Sequence, residues 1–147
     1  MLFKSTLAAA ALSLLALPVL AQDTEANPDA SLYFIGIEDG DTVSSPLTLR
    51  FGLSGMGVAP AGTEKEMTGH HHLLIDRPPL GEGEMGEDEL TSSLPSDDNH
   101  RHFGGGQTET SIELEPGEHT LQLVLGNMNH VPHNPPVTSD QITVTVE

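Results

Sequence analysis

Histidine is the residue type in this chain whose number and spacing point to chemistry. The chain has eight histidines and no cysteine. Seven of the eight fall into three short groups. Neutral imidazole binds copper, zinc, nickel or iron, so this pattern indicates a transition-metal site. The groups are His70-His71-His72, His100-x-His102 and His130-x-x-His133, and His119 stands alone.

The first group lies in a segment, Gly69 to Asp76, that alternates like a β-strand. Alternation places His70 and His72 on one face, about 7 Å apart at the backbone, while His71 points toward the core. Two imidazoles at that separation can converge on one ion, so both are predicted ligands. Asp76 lies further along the same face and is predicted to support them.

The third group forms a turn in which Pro132 separates two imidazoles. Because proline restricts the backbone, His130 and His133 are predicted as a preformed ligand pair. Met128 precedes them, and its thioether is a soft ligand that favours copper(I). The second group, His100 and His102, ranks behind these residues because it closes a long acidic loop.

Elements that could position these side chains are short and alternating, as in β-proteins. After the N-terminus no segment has a helical period over ten or more residues. The pattern predicts an all-β fold, a small antiparallel immunoglobulin-like β-sandwich, with a barrel or jelly roll as alternatives. The predicted strands are Leu32–Ile37, Leu47–Leu53, Gly69–Asp76, Thr108–Leu114, His119–Leu125 and Gln141–Val146.

The N-terminus predicts export. Lys4 precedes a short apolar stretch that ends in Val19-Leu20-Ala21, which is typical of a secretory signal peptide over residues 1–21. A flexible segment, residues 22–30, and one domain, residues 31–147, are predicted to follow. The domain carries a long acidic loop at about 77–102. These features predict a periplasmic or secreted protein with no membrane insertion after signal cleavage.

Charge and cysteine content exclude several classes of function. The formal net charge is −17, which repels nucleic acid and anionic lipid surfaces. Without cysteine the chain has no disulfide, no blue-copper thiolate and no cysteine-based zinc site. Any ion must therefore be held by imidazole, carboxylate, thioether or backbone groups.

Several long motifs resemble a bacterial exported family of unknown function, catalogued as DUF4399. The resemblance covers about residues 50 to 147 and implies a periplasmic domain, but it supplies no activity. The acidic loop is longer than the resemblance leads us to expect. The motifs are residues 55–63, 69–76, 99–109, 117–126 and 130–136, with the closing strand.

Three functional hypotheses follow. The first is a periplasmic metal-binding protein for copper handling or delivery, with zinc as the alternative ion and another periplasmic protein as a further partner. The second is a non-catalytic immunoglobulin-like module that binds a protein or cell-envelope partner. The third is a metal-dependent oxidase or hydrolase. Binding is favoured over turnover because the sequence contains no nucleophile or phosphate-binding motif.

Overall fold

The computed structural model describes residues 24–147, so the predicted signal peptide lies outside the described residues. Within them the chain forms nine strands and one short helix. In chain order these are β1 (Ser31–Phe34), β2 (Thr42–Val43), β3 (Leu47–Ser54), β4 (Gly57–Val58), β5 (Thr68–Ile75), α1 (Asp88–Thr91), β6 (His100–His102), β7 (Glu109–Ile112), β8 (Gly117–Gly126) and β9 (Ile142–Val146).

The strands form two sheets. The smaller has the order β1-β3-β7, and the larger has the order β2-β9-β8-β5-β4, with β6 also paired to β5. Most neighbouring pairs are antiparallel, although β2 with β9 and β4 with β5 are parallel. The prediction of an all-β fold with antiparallel sheets is therefore confirmed.

The main core lies between the two sheets, because alternate residues of each strand are apolar. Leu49 and Phe51 of β3 face Leu73 of β5 and Leu121 and Leu123 of β8 in one buried cluster. Burial of each large apolar side chain contributes about 1.5–3 kcal/mol, and this cluster fixes the register of the central strands. The opposite face of β5 is thereby left for other contacts.

That opposite face is covered by the acidic segment between β5 and β6. Leu80 and Leu94 of this segment pack on Leu74 of β5 and Val124 of β8. The predicted loop at about 77–102 thus contains α1 and β6 and is folded against the sheet. The apolar residues between its carboxylates explain why this segment packs on the sheet. Burial of apolar surface is favourable, and a uniformly acidic loop would have no such surface to bury.

The start of the described chain also packs on the domain. Ala26 is buried, and its amide donates a hydrogen bond to the Asn134 carbonyl over 3.1 Å. Part of the segment predicted to be flexible, residues 22–30, is therefore held by backbone hydrogen bonds that composition does not reveal. Within residues 24–147, no helix is long and apolar enough to cross a membrane.

Candidate metal centre

Two neighbouring strands place four histidines on one face of the larger sheet. His72 of β5 is paired directly with His102 of β6, and Leu74 is paired with His100. Because side chains two apart share a face, the face that carries His72 also carries His70. Both short His-x-His groups therefore point to the same side, toward the acidic segment.

His130 reaches the same face from the turn after β8. Gly126, the last residue of β8, is paired with His70, so the chain leaves the sheet beside that imidazole. The Asn127 side-chain oxygen then accepts hydrogen bonds from the amides of Asn129 and Val131, at 2.8 and 3.1 Å. This compact turn holds His130 at a left-handed φ of 65°. Such a conformation is unfavourable for most residues and is often found at functional sites.

The imidazoles converge on a small volume. His70 Nε2 lies 3.0 Å from His72 Nε2 and 3.1 Å from His130 Nδ1. With one nitrogen of His102, all four ligand atoms lie within 4.8 Å of one another. Ligand nitrogens about 2.0–2.1 Å from one ion are separated by roughly 2.9–3.4 Å at bond angles between 90° and 109°. We call His70, His72, His102 and His130 the four-histidine cluster. The His70–His72 and His70–His130 separations match this spacing, and the cluster could hold a single ion.

Burial favours the neutral form of His70, His72 and His102. His70 and His72 are fully buried, whereas His102 and His130 are partly exposed. Burial, followed by the neighbouring His130, lowers the pKa of His70 to about 4. Burial, followed by His70, lowers the pKa of His72 to about 2. Burial also lowers the pKa of His102. Neutral rings have a free lone pair at pH 7, which is the form that binds a metal ion.

Two glycines allow the rings to approach the backbone. A Cβ at Gly126 would lie 2.7 Å from His72 Nε2, and a Cβ at Gly104 would lie 2.4 Å from His102 Cε1. Any larger residue at these two positions would displace an imidazole or the backbone. The positions of His72 and His102 thus depend on the absence of a side chain at two neighbouring sites.

Of the residues predicted from sequence, His70, His72 and His130 meet in the cluster. His133 is buried elsewhere, with its ring nitrogens 3.3 Å from the Leu125 carbonyl oxygen and 3.2 Å from that of Thr68. Met128 lines a surface cleft of about 770 Å³. His102, ranked lower from sequence, completes the cluster. The signal that would have found it is its His-x-His spacing, which repeats that of His70 and His72.

Asp76, predicted to support the ligands, instead contacts His119. Its Oδ2 lies 2.8 Å from His119 Nδ1, and His119 Nε2 lies 2.8 Å from the Glu115 carbonyl oxygen. Because both ring nitrogens face acceptors, the hydrogen bond to Asp76 and then the backbone contact raise the pKa of His119. His119, in β8, is therefore hydrogen-bonded to Asp76 and to the Glu115 backbone and is not a member of the four-histidine cluster.

The His119 pair predicts a pH-dependent contribution to stability. A histidine with a raised folded-state pKa stabilises fully below its ordinary pKa of about 6.5, and the contribution is lost as pH rises through the folded value. We expect His119→Gln to lower the free energy of unfolding by at most about 1 kcal/mol more at pH 6 than at pH 9, since Asp76 is exposed. Urea unfolding at both pH values measures this, and an equal loss at both would contradict it.

The profile of the DUF4399 family, a domain of unknown function, matches residues 49–147. The chain belongs to the DUF4399 family. Neither a curated protein nor a solved structure matches it. The DUF4399 match begins at the third residue of β3 and runs to Glu147. All members of the four-histidine cluster, and the glycines beside them, therefore lie within the DUF4399 domain.

Proposed function

We propose that this chain is an exported, periplasmic protein that binds a transition-metal ion through His70, His72, His102 and His130. The observation that carries the proposal is the convergence of four ring nitrogens within 4.8 Å on rigid strands and a tight turn. The predicted signal peptide supports export. The family match gives no activity, so the chemistry of the cluster is the basis of the proposal.

Copper is the ion that this donor set favours. Divalent first-row metals bind nitrogen sites with increasing affinity up to Cu²⁺, which exceeds Zn²⁺, and four nitrogen donors suit tetragonal Cu²⁺. Zinc is the second candidate, because four imidazoles can also bind it tetrahedrally.

Handling or delivery of the ion fits the exposure of the ligands better than catalysis. Two imidazoles are buried and two are partly exposed. A bound ion would therefore contact the buried rings on one side and be accessible to a partner on the side of His102 and His130. Four protein ligands complete the coordination that zinc takes in structural sites, whereas a catalytic zinc site keeps one position open. A periplasmic donor or acceptor protein would exchange the ion at the exposed side.

Metal titration of residues 22–147 tests the proposal. We expect calorimetry to show one copper ion bound per chain with a Kd below about 1 μM, equivalent to about −8 kcal/mol. The variant His70→Ala/His130→Ala removes two ligands and should bind at least about 100-fold more weakly, since even supporting residues contribute 10–100-fold. Zinc(II) and copper(I) are titrated in parallel to establish the preference.

The control is His119→Gln, which removes a histidine outside the cluster. Its metal affinity should equal that of the wild type. Wild-type protein that binds none of the three ions would refute the proposal. So would a double variant that binds as tightly as the wild type, because the ion would then be held elsewhere.

A further inference from the structure

A fifth imidazole, His100, stands beside the cluster but outside it. Its side chain is fully buried, and its ring is perpendicular to that of His72 with ring centroids 5.3 Å apart. It shares the sheet face of His102 by strand alternation. The structure thus brings a further potential ligand close to the site without including it.

Arg77 donates a hydrogen bond to one of the two nitrogens through which this ring could bind a metal ion. Its Nη1 lies 2.8 Å from His100 Nδ1. A guanidinium can only donate hydrogen bonds, so His100 Nδ1 must accept and the ring proton must reside on Nε2. In this state Nδ1 has its lone pair engaged and Nε2 carries a proton. Neither nitrogen of His100 can bind a metal ion while Arg77 holds it.

The other ring nitrogen of His100, Nε2, does not help to fix the ring in place. His100 Nε2 is buried and makes no hydrogen bond. An unpaired buried donor is unfavourable by about 1–3 kcal/mol. If the ring moved away from this position, no hydrogen bond at Nε2 would be broken. The contact that fixes it is the one from Arg77.

Arg77 is itself fixed by the acidic segment. Its Nη2 donates to Glu89 Oε1 over 2.8 Å, and the other carboxylate oxygen of Glu89 accepts from the Gly81 amide over 3.1 Å. The Arg77 carbonyl accepts from Gln141 Nε2 over 2.8 Å. Glu89 is almost fully buried, so this charge-assisted arrangement is strong and well oriented.

We propose that Arg77 is a specificity-determining residue that limits the metal site to four imidazoles by keeping His100 out of the coordination sphere. The inference rests on the proposed function of the cluster. Its consequence is that removal of the guanidinium adds a nitrogen ligand to the site, although no member of the cluster has changed.

Electron paramagnetic resonance of the copper(II)-loaded protein tests the proposal through three variants. In Arg77→Met we expect a shift of the parallel g value upward and of the parallel copper hyperfine splitting downward, as His100 enters. His100→Phe should leave the wild-type spectrum unchanged. The double variant Arg77→Met/His100→Phe should restore it. A wild-type spectrum in Arg77→Met overturns the proposal, as does a double variant that keeps the Arg77→Met spectrum.

Nitrogen-15 NMR of the metal-free wild-type protein supplies a second measurement that needs neither metal nor variant. We expect His100 to be neutral with its proton on Nε2. A proton on Nδ1 overturns the proposal, even if Arg77→Met fails to fold. Failure of the wild type to bind copper would contradict the proposed function, whereas a wrong tautomer with intact copper binding would contradict the role of Arg77 alone.

Discussion

The metal-free protein should lose much of its stability between pH 7 and pH 5. His71 and His100 are fully buried, and burial lowers the pKa of each ring to about 4. An unfolded chain returns these rings to solvent, where their ordinary pKa is about 6.5. Each ring then contributes about 2 kcal/mol of pH dependence over this interval. Total stabilities of domains are about 5–15 kcal/mol, so this loss is large.

The sign follows from proton uptake. Between the folded and the unfolded pKa values, the unfolded state binds more protons than the folded state, so stability rises with pH in that window. The stabilisation is complete above about pH 6.5 and is lost as pH falls toward 4. His70 and His72 act in the same direction, because burial lowers their pKa values to about 4 and about 2.

Urea unfolding of the protein in a chelator, at intervals from pH 7.5 to pH 4.5, measures this loss. A matched variant, His71→Leu, replaces a buried imidazole that packs 5.2 Å from Phe51 with an apolar side chain of similar size. We expect its stability to fall less steeply with acid, by about one ring's contribution. A wild-type free energy that stays constant from pH 7 to pH 5 would contradict the prediction.

Adding one methyl group at Gly126 or Gly104 should weaken the proposed copper binding by at least about 10-fold, within the range found for residues that orient ligands. The new Cβ would lie 2.7 Å from His72 Nε2 in the first case and 2.4 Å from His102 Cε1 in the second. Neither glycine has a positive φ, so alanine is compatible with the backbone and the imidazole is the side chain that must move.

Gly83→Ala is the matched control. Its added Cβ would be 3.7 Å from the nearest heavy atom, Pro78 Cγ, which is ordinary contact, and its φ is not positive. Calorimetric titration with copper(II) should give wild-type affinity for this variant and weaker binding for Gly126→Ala and Gly104→Ala. Unchanged affinity in both test variants would show that His72 and His102 need not hold the positions they have here.

Much of the fold could be predicted from residue alternation alone. The alternation of side chains along β3, β5, β8 and β9 predicts that these segments are strands and indicates the apolar face of each. Alternation also separates His70 and His72 from His71, and the structure places His71 against Phe51 in the core. These are local properties, because the side-chain direction of a strand residue is set by its immediate neighbours.

The rest of the site depends on strand pairing, which one sequence does not specify. His102 enters the cluster because its three-residue strand pairs in register with His72. A strand so short, between an acidic segment and three glycines, has too little alternation to be recognised. Likewise, Glu89 resembles the other carboxylates of its segment in sequence. Its burial becomes apparent only when Arg77 is placed beside it.

The predicted ligands lie far apart along the chain, so a bound ion would join distant segments. His70 and His130 are 60 positions apart, and their ring nitrogens lie 3.1 Å apart. An ion bound to both would act as a cross-link that closes a long loop. By the entropy of loop closure, a covalent cross-link of this span raises the free energy of the unfolded chain by about 4 kcal/mol. This cysteine-free chain would thus obtain from a metal ion the restraint that other small domains obtain from a disulfide, and a chelator would release it reversibly.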